Sequence, residues 1–158
     1  MQRPRVTAIV PTFNEAAHLA ECLEGLRWAD EVLVVDSFSD DGTPELARTL
    51  GARVIQREYE HSASQKNWAI PQASHELVFL VDADERCPEE LADEVRTLLA
   101  EGPDKDAYWI YRRNFFLGKE MRYGGWRNDK VIRLFKRELR YQDLPVHADI
   151  DVPFHRVG

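Results

Sequence analysis

Short apolar runs alternate with polar loops and amphipathic stretches through the first two-thirds of the chain. Arg5 to Val10, Glu31 to Val35, Arg53 to Arg57 and Leu77 to Val81 are the short apolar runs; the first reads as a buried strand and the others as the second, third and fourth strands. Between the first two, Leu19, Cys22, Leu23 and Leu26 fall on one face of a helix. Thr43 followed by Pro44 predicts an N-cap with Pro at the first helical position, a helix to Leu50 and a C-cap at Gly51. Ser64 to Ala73 predicts a further helix although Pro71 lies inside it, and Pro88 opens another, with Leu91, Val95, Leu98 and Leu99 at helical spacing before Gly102-Pro103. The pattern then changes. Ala107 to Arg113, Lys119 to Tyr123 and Val131 to Lys136 are strand-like segments separated by Gly118 and Gly124-Gly125, which predicts an antiparallel meander. Ile150 to Gly158 shows no closing element, and the expectation is a C-terminally truncated fold.

Strands that alternate with helices need crossover connections, so the expected fold class is α/β, with a mostly parallel central sheet covered on both faces and an antiparallel C-terminal part. A chain of 158 residues fits one domain, read here as a part spanning 1–103 and a second part spanning 104–158. With 44% hydrophobic and 31% charged residues, disorder is excluded. No apolar run approaches the roughly 18 residues of a spanning helix, and the amino terminus leads straight into a strand, so the expectation is a soluble, cytoplasmic protein. Two cysteines, Cys22 and Cys87, are too few for a disulfide framework or a structural zinc site. The net charge of −7 argues against nucleic acid as a partner. That average hides an asymmetry, because Asp104 to Tyr141 carries 11 Lys and Arg against 5 Asp and Glu, interleaved with aromatics. Such a segment suits either a half-buried sheet with solvated arginines or a surface for an anionic, ring-shaped partner.

In open α/β sheets ligands bind beyond the carboxyl ends of the strands. There the chain places Thr12, Asn14 and Glu15 after the first strand, Asp36 and the loop to Thr43 after the second, and Asp82 and Asp84 after the fourth. Asn14 and Thr43 are also suited to capping helices, and Asp40 or Asp41 to an Asx-turn before Gly42. Asp82-Ala83-Asp84 is more specific, because two acids at the end of a buried strand need compensation. Alternation of side chains along a strand puts both carboxylates on one side, where they would hold Mg2+ or Mn2+ and leave positions for phosphate oxygens. The alternative is a solvated loop in which Glu85, Glu89 and Glu90 favour the start of the next helix.

Taken together, these segments resemble the family 2 inverting glycosyltransferases of GT-A, Rossmann-like three-layer fold. Pro11-Thr12-Phe13-Asn14-Glu15 is similar to that family's first nucleotide loop, Asp36 to Thr43 to its second, and Asp82-Ala83-Asp84 to its DXD motif. Gln65-Lys66-Asn67 stands where the family usually reads Ala-Arg-Asn, with Lys66 in place of Arg. Tyr123 to Trp126, Ile132 to Phe135 and Val146-His147 resemble the branch that includes lipopolysaccharide core β-1,4-glucosyltransferases. The resemblance runs from Val6 to about Asp149. It implies that Pro11, Thr12, Asn14, Glu15, Asp36, Ser39, Asp41, Lys66, Asn67, Asp82, Ala83 and Asp84 hold the donor, with Asp82 and Asp84 on the metal. The implied donor is a UDP-hexose, typically UDP-glucose. The implied acceptor is a glycan or lipid-linked saccharide of the cell envelope, met in the cytoplasm or peripherally at the inner face of the membrane.

Inversion in one displacement needs a carboxylate that takes a proton from the acceptor hydroxyl. Branch members usually read Val-His-Glu, whereas this chain reads Val146-His147-Ala148-Asp149, so Asp149 is the candidate base, with His147 and Asp143 in reserve. Trp126, after two glycines, is the candidate platform for an acceptor sugar, and Trp28, Trp68 and Trp109 are expected in the core or at its edge. Two other classes fit less of the chain: a nucleotide-sugar-binding domain without turnover, favoured by Ala148, and a metal-dependent phosphohydrolase or nucleotidyltransferase using the same two acids. Against the latter, no Gly-rich basic loop follows the first strand.

Overall fold

The computed structural model describes residues 2–111, 130–144 and 148–158. In chain order the elements are β1 (Val6–Thr12), α1 (Ala16–Glu24), β2 (Glu31–Asp36), α2 (Thr43–Thr49), β3 (Arg53–Gln56), α3 (Ser62–Ala69), β4 (Leu77–Leu80), α4 (Glu89–Glu101), β5 (Ala107–Tyr111) and β6 (Lys130–Lys136). The six strands form one sheet of order β3-β2-β1-β4-β6-β5. β1, β2, β3 and β4 pair in parallel, and β6 lies antiparallel between β4 and β5.

Alternation along the strands builds two apolar layers. On one face Val6, Ala8 and Val10 of β1 and Phe79 of β4 pack with Leu19 and Cys22 of α1, Ala47 of α2, and Leu91 and Val95 of α4. On the other, Ile9, Val78 and Leu80 pack with Ala63 and Ala69 of α3, Phe135 of β6, Tyr141 and Ile150. Helices therefore cover both faces, the three-layer α/β arrangement expected from the alternation of elements. Trp28 sits edge-on to Phe79 with ring centroids 5.0 Å apart, and Trp68 and Trp109 border the second layer, so these three tryptophans lie in or beside the core as expected.

The structure corrects four expectations. Gly42, at φ +87°, takes the cap position of α2, and Thr43 is already helical. α3 begins two residues early and ends at Ala69, after which Ile70–Gln72 tightens into a 3-10 turn around Pro71. The antiparallel part is not a meander in chain order, because β6 inserts between β4 and β5; Lys119 to Tyr123 lies outside the described residues. Residues 150–158, which the sequence pattern leaves without a paired element, do pair with β5 at their end. Val157 bridges Ala107 in parallel, and Asp106 and Trp109 donate backbone hydrogen bonds to Arg156 and Gly158 at 2.9 Å each, so the chain end lines the free edge of β5.

Candidate active site

The loops after β1 and β2 are laced together at the carboxyl edge of the sheet. Asp36, fully buried, accepts hydrogen bonds from Thr12 Oγ1 at 2.7 Å, Ser39 Oγ at 2.6 Å, Ser39 N–H at 2.9 Å and Gln56 Nε2 at 3.2 Å. A buried carboxylate is costly unless its oxygens are met, and here four donors meet them. Asn14, at φ +52°, donates its N–H to Ser39 Oγ at 2.8 Å, while its Oδ1 accepts from Asp40 N–H at 3.0 Å. Asp41 serves two helices. Its Oδ1 accepts from Thr43 N–H at 3.0 Å in an Asx-turn, and its Oδ2 from Ala16 N–H at 3.1 Å in the first turn of α1. Thr43 Oγ1 donates to Asp41 and accepts from Glu15 N–H at 3.0 Å. Asp36, Ser39 and Asp41 thus brace the two loops against each other, and the Asx-turn alternative describes Asp41.

The acidic motif lies in a turn, not on a strand. β4 ends at Leu80, and Glu85 N–H donates to Asp82 C=O at 2.9 Å, closing a turn across Asp82 to Glu85. Strand alternation is therefore not what separates the three residues. The turn itself puts the Ala83 methyl in the core and leaves Asp82 half-exposed and Asp84 exposed, so Ala83 can meet a ligand only through its backbone. Behind the turn, Cys22 Sγ donates to Asp82 C=O at 3.7 Å, and burial pushes that thiol up to about 12, so it stays protonated. α1 comes close enough for this because residue 25 has no side chain: a Cβ at Gly25 would stand 2.8 Å from the Cys87 carbonyl.

Glu85 is not the solvated helix-start charge considered from sequence. It is buried, its Oε1 accepts from Asp82 N–H at 2.8 Å, and its Oε2 accepts from Arg133 Nη2 of β6 at 3.0 Å. Burial raises its pKa and Arg133 opposes the rise. Arg133 also stands 3.8 Å from Asp82 Oδ2. Glu15 is raised as well, by burial and then by the negative charge of Asp84. The negative charges of Asp82 and Asp84 thus raise both Glu15 and Glu85, and a cation among these carboxylates lowers the energy of the group.

Two cavities meet here. One, of about 180 Å3, is lined by Pro11, Thr12, Phe13, Ser37, Tyr59 and Gln65, with Lys66 and Asp82 on its wall. The other, of about 310 Å3, has Arg133, Tyr141, Ala148 and Asp149 and shares Lys66 and Asp82. Larger hollows of about 880 and 550 Å3 lie at the opposite, amino-terminal edge of the strands and contain none of these residues. α3 supplies the partition. Gln65 Nε2 donates to Ser37 Oγ at 3.0 Å on the first side, and both amide atoms of Asn67 bond the backbone of Tyr141 on the second. Between them Lys66 Nζ stands 4.8 Å from the Tyr141 ring centroid; burial pushes its ammonium below the usual lysine range, against the pull of Asp82.

Of the three candidate bases, Asp149 lines the second cavity. Asp143 is 90% exposed, 3.8 Å from His61 Nε2, and does not line it. His147 and the proposed sugar platform Trp126 lie outside the described residues. The sequence reading missed Glu85, Arg133 and Tyr141. Arg133 had a visible signal, a lone cation inside the apolar run Val131 to Phe135.

Among the described residues no three His, Cys, Asp or Glu are grouped to hold a metal unaided. A half-exposed carboxylate that lines both cavities and an exposed one two residues on, in one turn, fit Mg2+ or Mn2+, which take one or two protein carboxylates and fill their other positions with water and phosphate oxygen.

The mostly parallel sheet with helices on both faces is a GT-A, Rossmann-like arrangement, and solved glycosyltransferases are similar to it. The mannosyltransferase PcManGT from Pyrobaculum calidifontis, solved with GDP-Man and Mn2+, is 35% identical at a TM-score of 0.57 over 68% of this chain and 35% of its own. S. aureus TarS 1-349, solved with UDP-GlcNAc, is 28% identical at 0.56 over 66% of this chain and 33% of its own. The family model for Glycosyl transferase family 2 matches residues 7–155, and the chain belongs to that family. Its curated relatives include the lipopolysaccharide core biosynthesis glycosyltransferase LpsC of Rhizobium meliloti, 31% identical over 97% of this chain and 59% of the relative. An uncharacterized glycosyltransferase of Rickettsia felis is 33% identical over 83% and 44%. The chain thus spans about half the length of such relatives.

Proposed function

We propose that the chain is the catalytic region of a metal-dependent inverting glycosyltransferase that moves a hexose, glucose, from a UDP-sugar to a cell-envelope glycan such as lipopolysaccharide core. The observation that carries this reading is the meeting of two cavities at Asp82 and Lys66, one walled by the β1 and β2 loops and the other by Asp149. The first cavity receives the nucleoside, with Pro11 and Thr12 on its wall and Asn14, Glu15, Asp36, Ser39 and Asp41 holding the loops in shape. Asp82 and Asp84 hold Mg2+ or Mn2+, which when bound makes the diphosphate a better leaving group. Lys66 adds a positive charge beside that diphosphate. In the second cavity Asp149 takes the proton of the acceptor hydroxyl, whose oxygen bonds the anomeric carbon as its bond to the diphosphate breaks on the opposite face. Residues 1–103 are the donor part and 104–158 the acceptor part, where the basic segment with Trp126 suits an acceptor bearing phosphate or carboxylate. Such acceptors are met in the cytoplasm or at the inner face of the membrane; among the described residues no helix is long and apolar enough to cross it.

LpsC supports the acceptor, while PcManGT and TarS were solved with different nucleotides, so the donor needs a direct test. Calorimetric titration of UDP-glucose with Mn2+ is expected to show binding that a chelator, or Asp84→Ala, abolishes. Asp149→Asn is expected to keep that binding and lose transfer. Tighter binding of GDP-mannose would overturn the donor, and affinity indifferent to both chelator and Asp84→Ala would overturn the metal.

A further inference from the structure

Among the described residues, no strand of the main sheet pairs with the segment that carries Asp149. Tyr141 bridges Ile150 in antiparallel fashion, Gln142 N–H donates to Asp149 C=O at 2.8 Å, and Asp151 N–H donates to Arg140 C=O at 2.8 Å, so 140–142 and 149–151 form a small ladder of their own. The outer side of that ladder is met by a side chain. Asn67 Nδ2 donates to Tyr141 C=O at 3.0 Å and Asn67 Oδ1 accepts from Tyr141 N–H at 2.8 Å. These are the two bonds that a paired residue of a neighbouring antiparallel strand would make. One amide thereby stands in for a strand. The Tyr141 ring is seated between Phe135, edge-on at 6.1 Å, and the Lys66 ammonium, so the ladder rests on β6 and α3 together.

We propose that Asn67 is a positioning residue for the acceptor side: its amide holds Tyr141, and through the ladder Asp149, against the second cavity, and it does not touch the donor. This rests on the reading of Asp149 as the base. It departs from the place beside the nucleoside or diphosphate that the family resemblance implies for Asn67, and the two roles predict opposite results. The two bonds to one backbone residue fix the plane and direction of the amide and leave it one N–H and one lone pair, so its orientation is set by Tyr141 and not by a phosphate.

The test uses Asn67→Ala and Asn67→Asp, the second of which keeps the acceptor for Tyr141 N–H and turns the donor into a carboxylate oxygen facing the Tyr141 carbonyl. Hydrogen exchange is expected to speed up at Tyr141, Gln142 and Asp151 in both variants, with β1 and β4 amides unchanged. UDP-glucose affinity with Mn2+ is expected to stay at the wild-type value. UDP release from UDP-glucose with water as acceptor is expected to fall on the order of 10²-fold, the size of effect an ångström of misplacement produces. Loss of UDP-glucose affinity with unchanged exchange at Tyr141 would overturn the proposal and return Asn67 to the donor. So would wild-type exchange in both variants. A wild-type chain that neither binds nor cleaves UDP-glucose would sink the donor reading instead, and the exchange measurement would still decide whether Asn67 holds Tyr141. If Asn67→Ala does not fold, Asn67→Asp carries the comparison.

Discussion

Three acidic residues show how surroundings, and not residue type, assign work. Asp36 is spent on bracing two loops, Glu85 on anchoring a turn, and Glu31 on the opposite edge of the sheet. Glu31 accepts from Ser74 N–H and Oγ at 3.1 and 2.7 Å, from Thr7 Oγ1 at 3.0 Å and from Arg53. Burial alone would raise its pKa, yet these hydrogen bonds outweigh burial and hold it down to about 2. A carboxyl whose folded pKa lies below its unfolded value of 4.5 contributes stability that is fully present above pH 4.5 and drains away as the pH falls toward about 2. Glu31→Gln is therefore expected to cost about 1–3 kcal/mol at neutral pH. In urea unfolding at a series of pH values, its deficit against wild type should narrow between pH 4.5 and about 2. A deficit constant across that range would mean that the charge contributes nothing.

Among the elements, β6 does more than widen the sheet. It delivers Arg133 to Glu85, 48 residues away in sequence, and that pair holds the turn containing Asp82 and Asp84 through the Asp82 N–H. Arg133→Met strands a buried carboxylate and is expected to destabilise the protein by about 3–5 kcal/mol, most of which returns in the double variant with Glu85→Gln. Additive losses in that cycle, measured by denaturant unfolding, would show that the two side chains do not depend on each other. The elements also show what was legible beforehand. The four parallel strands, α1, α4 and the polar loops at their carboxyl ends follow from local periodicity and local turn chemistry, which a chain displays residue by residue. Asp82 and Asp84 were legible for the same reason. The place of β6 between β4 and β5 was not, because strand order is set by packing between distant segments. Glu85 looked like a helix-start charge for that same reason, since its partner lies on β6. Asn67 is similar: its neighbours in the chain say nothing of Tyr141, 74 residues on.

Across the whole molecule, the two faces and the two ends of the sheet are used differently. The carboxyl end carries the candidate site, the amino end carries Glu31, and the far side edge is lined by the chain end beside β5. Gly158 N–H donates to Ala107 C=O at 2.8 Å, and a Cβ at Gly158 would meet the Tyr108 ring at 2.6 Å. Gly158→Pro removes that donor and adds bulk at the ring, so it is expected to cost about 1–3 kcal/mol and to speed hydrogen exchange at Trp109. Exchange at Trp109 equal to wild type would mean that the edge needs no cover.

The insertion of β6 also sets an order in time. A chain growing from its amino end completes β1 to β4 first, and then β5, which has no partner in the sheet until β6 has been made. Throughout that interval the open side of β4 is bare, Glu85 lacks its guanidinium, and Tyr141 is not yet available to Asn67. The acidic turn and the ladder of 140–142 with 149–151 therefore acquire their supports late and together, so an emerging polypeptide carries the loops after β1 and β2 well before it has both cavities.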